Sequence, residues 1–146
     1  MLKGIPKIIS PALLKALCEM GHSDTLVIAD GNFPAESMGK DAIVIRYDAV
    51  GVTPLLEAIL KLFPLDVYVE KPVSLMAVVP GDKVETPIWE EYKACIRSVD
   101  ARGENTIENI ERFAFYEKAK KAYLIIATGE SALYANIILQ KGVVVE

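Results

Sequence analysis

Histidine and cysteine, the side chains that most often build metal sites, are scarce in this sequence of 146 residues. There is one histidine, His22, and there are two cysteines, Cys18 and Cys95. The cysteines fall in separate predicted helices and lack the Cys-X-X-Cys spacing of a zinc knuckle, so the sequence predicts neither a disulfide nor a metal site. The chain also lacks a glycine-rich nucleotide loop, a Gly-X-Ser-X-Gly elbow and a His-Glu-X-X-His helix, which argues against nucleotide, serine-nucleophile and zinc-hydrolase chemistry.

Long apolar runs and extended basic clusters are absent as well. No run approaches the roughly 20 apolar residues of a membrane helix, and Lys3 and Lys7 interrupt the segment where the apolar core of a signal peptide would lie. The net charge is −4, and basic residues are concentrated only at Lys118, Lys120 and Lys121. We therefore expect a cytoplasmic protein that binds neither membranes nor nucleic acid.

Apolar side chains, in contrast, are plentiful. Hydrophobic residues make up 52% of the chain and the mean hydropathy is +0.30, which is high for a domain of this size. A charged content of 25% argues against disorder. The length suits a single domain over residues 1–146, large enough to bury about two-thirds of its unfolded surface. The excess of apolar residues favours a homo-oligomer.

Predicted helices and strands alternate along the chain. Ser10-Pro11 is typical of a helix start and Gly21 of a helix end, and Thr53-Pro54 repeats the start signal. We predict helices over residues 11–20, 53–63, 86–99 and 111–122, strands over 25–29, 42–46, 73–79 and 123–128 with one or two more in 137–145, and loops at 32–39, 101–105 and 129–136. This order indicates a three-layer α/β/α domain around a largely parallel or mixed sheet.

Polar residues interrupt the apolar pattern near several predicted strand ends, where α/β domains place ligand sites. His22 precedes the first strand, Asp30 follows it, and Tyr134 and Asn136 precede the last. An imidazole near an acid is a candidate site, but a solvated histidine after a helix end and a turn-forming aspartate give the same pattern. Arg112 lies among aromatic residues, which a core-packed helix with a solvated arginine also explains. The residues alone leave both interpretations open.

Four separated blocks, in one order, resemble the ribose pyranase/fucose mutarotase (RbsD/FucU) family. The resemblance runs from Leu2 to Val143, nearly the whole chain. The Arg-Phe-X-Phe-Tyr-Glu segment is similar to the L-fucose mutarotase branch in particular. The blocks are residues 19–24 (EMGHSD), 29–35 (ADGNFPA), 111–119 (ERFAFYEKA) and 127–139 (ATGESALYANIIL).

The resemblance implies an RbsD-like fold and an isomerase that interconverts the α and β anomers of a free reducing sugar, L-fucose by its branch. A base takes the proton of the anomeric hydroxyl, an acid protonates the ring oxygen, and the open aldehyde rotates before the ring closes again. An imidazole suits both steps near neutral pH, so no cofactor is expected. By family analogy, His22 is the proton donor and Tyr134 a second acid/base, while Asp30, Arg112, Tyr134 and Asn136 bind the sugar.

The spacing of His22 and Asp30 raises a question of geometry. If residues 22–30 were fully extended, eight steps of about 3.3 Å would separate them by roughly 26 Å, which exceeds the reach of one pyranose. The resemblance implies a pentameric ring, alone or paired as a decamer, so we expect a site shared between chains, in which Tyr134 and Asn136 complete a neighbour's pocket. The alternatives are a ribose pyranase or broader monosaccharide mutarotase, and a non-catalytic sugar-binding or transport-accessory protein.

Overall fold

A computed structural model describes all 146 residues as one six-stranded sheet with helices on both faces. The α-helices are α1 (Pro11–Glu19), α2 (Ala35–Met38), α3 (Val52–Leu60), α4 (Ile88–Arg97) and α5 (Arg112–Lys120), and a 3₁₀ turn covers Gly103–Thr106. The strands are β1 (Thr25–Ala29), β2 (Ile43–Tyr47), β3 (Val73–Met76), β4 (Ile107–Ile110), β5 (Leu124–Thr128) and β6 (Ile137–Gln140). The predicted three-layer α/β architecture with a mixed sheet is confirmed.

The alternation of side chains along each strand builds two cores, one on each face of the sheet. In β1, Leu26 and Ile28 belong to the larger core, which also holds the buried faces of α1, α3 and α4. Val27 and Ala29 point to the opposite face and pack in a smaller core with α2 and α5. Because both faces are covered, these strands are continuously apolar, as their sequences predict.

The strand order is β2-β5-β1-β6-β3-β4, and β6 is the one strand that runs against its neighbours. Its antiparallel pairing with β1 joins Thr25 to Gln140 at one end and Ile28 to Ile137 at the other. The residues after β1 therefore meet the residues before β6, while the residues before β1 meet the end of β6. This arrangement creates two polar clusters at opposite edges of the sheet.

The element boundaries differ from prediction mainly in short segments. The edge strand β4 was not predicted, and the short helix α2 forms within a predicted loop. Strand β3 ends at Met76 instead of continuing to Val79, and a single closing strand ends at Gln140. None of the helices combines the length and apolar character needed to cross a bilayer.

The two predicted helix starts have different outcomes. The Ser10 Oγ atom accepts the Leu13 N–H at 3.2 Å, as a helix cap does, and Pro11 occupies the first turn. Helix α3, however, starts one residue before Thr53, after Gly51, and has no side-chain cap. The Thr53 hydroxyl instead donates to Glu91 Oε2 of α4 at 2.6 Å, so its role is to link two helices.

Candidate active site

An open cavity of about 390 Å³ lies at the edge of the sheet where β1 and β3 end and β6 begins. The sheet order makes these three strands adjacent, so residues distant in sequence converge there. Its polar lining residues are Asp30, Asn32, Asp82, Arg112, Tyr134 and Asn136, and its apolar ones are Phe33, Met76, Val79, Tyr116 and Leu133. Four of the five predicted site residues are in this lining.

Asp30 and Asn136 form a buried pair at the cavity, with exposed fractions of 7% and 6%. The Asn136 amide donates to Asp30 Oδ2 at 3.1 Å and accepts the Asp30 backbone N–H at 2.8 Å. The backbone N–H of Asn32 donates to Asp30 Oδ1 at 3.0 Å. Burial raises the pKa of Asp30 although these hydrogen bonds oppose the shift. The carboxyl group is thus fixed in position by both neighbouring segments.

Arg112 is the first residue of α5, where the side chain of Glu111 caps the helix by accepting the N–H groups of Phe113 and Ala114. The guanidinium lies 5.0 Å from the centre of the Phe113 ring and 6.0 Å from that of Tyr116. It makes no ion pair within 4.0 Å and no hydrogen bond to the protein. Its donors are therefore available to a ligand in the cavity.

Tyr134 is held at both its backbone and its hydroxyl. Its φ of 56° lies in the left-handed region, which tyrosine rarely adopts. The Trp89 indole N–H donates to the Tyr134 carbonyl at 2.8 Å, and the Tyr92 hydroxyl donates to the Ala135 carbonyl at 2.6 Å. The Tyr134 hydroxyl donates to Asp82 Oδ2 at 2.6 Å, and this hydrogen bond raises the pKa of Tyr134. The strained backbone is thus stabilised by helix α4.

The apolar side of the cavity is built by aromatic residues that also belong to the smaller core. Phe33 is 9% exposed, and its ring centre lies 5.9 Å from that of Tyr116 and 6.4 Å from that of Phe115. Phe115 is fully buried and Phe113 is 64% exposed. Phe33 and Tyr116 therefore have cavity-facing surface, whereas Phe115 serves the core.

His22 lies at the opposite edge of the sheet from this cavity. It precedes β1, and the five steps from Thr25 to Asp30 alone span roughly 16 Å at about 3.3 Å per step. Its Nε2 atom is 3.1 Å from both carboxylate oxygens of Asp66, and its ring centre is 5.3 Å from that of Tyr68. Asp30 therefore does not orient this imidazole within one chain; Asp66 does.

Asp66 is fully buried and accepts hydrogen bonds from three directions. Besides His22, the donors are the Tyr68 backbone N–H at 2.9 Å and the Gln140 side-chain amide at 2.9 Å. Burial opposes ionisation of Asp66, but these hydrogen bonds outweigh it and lower the pKa of Asp66. The Arg102 guanidinium also binds the Asp66 backbone carbonyl at 3.1 Å, which anchors the loop.

The sequence did not identify Asp66 or Asp82 as parts of the site. Asp66 is 44 residues from His22 along the chain. The two loops meet through Lys141, which bridges Leu65 and accepts the Ser23 N–H at 2.9 Å, and this arrangement leaves no local sequence pattern. Asp82 follows Pro80-Gly81 in a turn, where an aspartate is ordinarily explained by turn formation. No group of three or more His, Cys, Asp or Glu side chains has the arrangement of a metal site.

The structure also changes which residues a second chain would have to supply. Tyr134 and Asn136 lie in the same cavity as Asp30 and Arg112 of their own chain. The prediction that Tyr134 and Asn136 complete a neighbour's pocket separated them from Asp30, whereas within one chain only His22 lies apart from the other predicted site residues. A shared site must bring His22 of one chain to these four residues of another.

Comparison with known proteins relates the whole chain to one family. Residues 3–144 match the RbsD / FucU transport protein family. The fucose mutarotase of Mus musculus is 51% identical over 145 residues, which cover 97% of this chain and 94% of the mouse protein.

Two solved structures are similar over nearly the full length of this chain. FucU from Bifidobacterium longum is 66% identical, with a TM-score of 0.96 and coverage of 98% of this chain and 100% of that one. The fucose mutarotase from Streptococcus pneumoniae, solved in complex with L-fucose, is 51% identical, with a TM-score of 0.92 and coverage of 99% and 100%. The chain described here belongs to the RbsD / FucU transport protein family.

Proposed function

We propose that this protein is an isomerase that interconverts the α and β anomers of L-fucose. The observation that carries the proposal is the cavity in which the unpaired guanidinium of Arg112 lies with the buried Asp30–Asn136 pair. The two relatives described above as fucose mutarotases, each 51% identical to this chain, support the same activity.

The cavity has the polar and apolar groups that a deoxysugar requires. Asp30 accepts hydrogen bonds from sugar hydroxyls, Arg112 donates a planar fork to hydroxyl or ring oxygens, and Asn136 keeps Asp30 in place. Phe33 and Tyr116 offer apolar surface to the C6 methyl group and the C–H face of the ring. A sugar with hydroxyls on one side and a methyl group on the other fits this division.

The chemistry requires one acid and one base close to the anomeric centre. The Tyr134 hydroxyl is in the cavity, and His22 supplies the acid. His22 has 43% of its side chain exposed at the other edge of the sheet, so it is accessible to another chain. We therefore assign the proton donor to His22 of a neighbouring subunit and the sugar-binding residues to the subunit that forms the cavity.

Exposed apolar residues support a head-to-tail assembly. Val67 and Tyr68, 68% and 76% exposed, lie beside His22, whereas Val79, Phe113 and Leu133 lie at or next to the cavity. Two different patches that pair with each other form a heterologous interface, which generates a ring when its rotation closes. A pentameric ring, alone or paired as a decamer, is the assembly we propose.

Both cysteines are free thiols, which agrees with action in the cytoplasm.

Exchange NMR on equilibrated sugars tests the activity. The protein should accelerate exchange between the anomer signals of L-fucose more than those of D-ribose or D-galactose, and His22→Ala should lose the acceleration. Faster exchange for ribose would indicate a ribose pyranase, and similar rates for all three would indicate a broad mutarotase. Saturable fucose binding with no acceleration by the wild-type protein would overturn the enzymatic proposal in favour of a sugar-binding protein.

Complementation between two variants with strongly reduced activity tests the shared site. Co-expressed His22→Ala and Tyr134→Phe chains should regain activity, because random mixing gives roughly a quarter of the sites both intact residues. The control is the double variant, which carries both substitutions in every chain; expressed alone, it should stay inactive. Failure of co-purified mixed oligomers to regain activity would show that His22 and Tyr134 act within one chain or at separate sites.

A further inference from the structure

Asp82 makes a short contact to Tyr134, the predicted acid/base of the cavity, and is not itself among the predicted site residues. Its Oδ2 atom accepts the Tyr134 hydroxyl at 2.6 Å. The backbone N–H of Val79 donates to the same hydroxyl oxygen at 3.3 Å. The phenol proton therefore points to Asp82, while one lone pair of the phenol oxygen is left without a protein partner.

A tight turn over residues 79–82 places both contact groups, the Val79 N–H and the Asp82 carboxylate, beside the Tyr134 hydroxyl. The Asp82 N–H donates to the Val79 carbonyl at 3.0 Å, and Gly81 has a φ of 90°. Val-Pro-Gly-Asp with proline second and a left-handed glycine third is the sequence of a type II turn. The first and last residues of such a turn lie side by side, so the Val79 N–H and the Asp82 carboxylate reach one phenol oxygen together.

We propose that Asp82 acts through Tyr134 as the terminal proton acceptor of the ring-opening step. This inference rests on the mutarotase activity proposed above. With its own proton directed at a carboxylate, the phenol cannot donate that proton to the sugar, but its free lone pair can accept one. Tyr134 is then a relay between the anomeric hydroxyl and Asp82.

The step balances as two proton transfers and one bond cleavage. The O1–H proton of the sugar moves to the Tyr134 oxygen as the phenol proton moves to Asp82 Oδ2. The electrons of the O1–H bond form the C1=O1 double bond, and those of the C1–O5 bond go to the ring oxygen, which takes a proton from protonated His22. The carboxylate and the imidazolium are both neutral in the open-chain state, and closure on the other face of C1 reverses each transfer.

Asp82→Asn separates this role from simple anchoring of the turn. An asparagine oxygen can still accept the phenol hydrogen bond, but it cannot take the proton. We expect kcat for fucose anomer exchange to fall about 100-fold with little change in KM, because general-base catalysis is lost. Asp82→Glu should recover at least a tenth of the wild-type kcat. Glu85→Gln, which removes an equal charge from an exposed residue of the same segment, is the matched control.

A double-mutant cycle tests the path through Tyr134. Asp82→Asn should cause no further loss in a Tyr134→Phe background, since the relay is already broken there. A wild-type kcat in Asp82→Asn, a change in KM alone, or additive losses in the double variant would each overturn the relay. If the wild-type protein itself fails to accelerate fucose exchange, the proposed function is wrong, and the relay is wrong as well. If the wild-type protein is active but the Asp82 variants contradict the expected losses, only the relay is wrong.

Discussion

The Nε2 atom of His22 lies 3.1 Å from both oxygens of the Asp66 carboxylate. Because an ionised carboxylate only accepts hydrogen bonds, Nε2 carries a proton and, in the neutral ring, Nδ1 is the free base. The nitrogen that is left free to exchange a proton with a ligand is therefore Nδ1. Asp66 is in turn fixed by Gln140 and by the Tyr68 N–H, so the orientation of the ring is set by buried groups.

Substitution of Asp66 should remove the hydrogen bond that fixes the tautomer of His22. We expect Asp66→Asn to give a mixture of Nε2-H and Nδ1-H forms and to lower kcat about 10-fold or more. Nitrogen-15 NMR of histidine-labelled protein measures the tautomer directly, because His22 is the one histidine of the chain. Asp24→Asn is the control, since Asp24 caps the Gly21 N–H at 2.8 Å and does not touch the ring. An unchanged Nε2-H tautomer in Asp66→Asn would contradict this assignment.

The same pair predicts a pH dependence of stability. The pKa of Asp66 is lower in the folded protein than its ordinary value, so its contribution is present above the unfolded pKa of about 3.9 and is lost as pH falls through the folded value. The free energy of unfolding of wild type minus that of Asp66→Asn should therefore shrink as the pH falls below about 4. Urea unfolding of both proteins across this range measures the difference. A difference that grows on acidification would mean that the folded pKa is raised.

Arg112 is expected to matter for binding and not for folding. Its guanidinium has no protein partner, so Arg112→Lys should leave the free energy of unfolding nearly unchanged. Loss of the planar fork should weaken L-fucose binding about 10-fold or more. Titration by NMR together with urea unfolding measures both quantities. Arg97→Lys is the control, because Arg97 is exposed and paired with Glu104 away from the cavity; it should change neither quantity. If Arg112→Lys binds L-fucose as tightly as Arg97→Lys does, Arg112 is not part of the sugar site.

Tyr92 offers a test of how α4 supports the loop before β6. Its hydroxyl is fully buried and donates to the Ala135 carbonyl at 2.6 Å. Tyr92→Phe leaves that carbonyl unpaired and should lower the free energy of unfolding by about 1–3 kcal/mol. Tyr123→Phe is the matched control, because the Tyr123 hydroxyl bonds Glu19 at 3.2 Å at the surface. If both variants lose the same free energy of unfolding, the buried hydrogen bond to Ala135 stabilises the fold no more than the surface one to Glu19 does.

The strands with strong local signals could be predicted from sequence, whereas the edge of the sheet could not. The segments 25–29 and 124–128 are short and apolar on both faces, which favours a buried strand, and β1 and β5 form there. Ile107–Ile110 has the sequence IENI, with two polar residues in four, and becomes β4 because β3 offers a free edge. Pairing of this kind is decided by tertiary contacts, which a local pattern does not contain.

The same distinction applies to the site. Asp30, Arg112, Tyr134 and Asn136 are found together in one cavity, and the order of the strands explains why. Asp66 and Asp82 lie in turns whose aspartates have local explanations, and their hydrogen bonds to His22 and Tyr134 span 44 and 52 residues. The sequence gives no indication of such partners until the antiparallel placement of β6 is known.

Trp89 is the one tryptophan of the chain, and its indole N–H is bonded to the carbonyl of Tyr134. The protein therefore contains an intrinsic optical probe attached to the backbone of the cavity. A rearrangement of Tyr134 that breaks this hydrogen bond on sugar binding is expected to change the polarity around the indole and with it the wavelength of its emission. Ligand occupancy can then be followed by fluorescence in the unlabelled protein, independently of turnover.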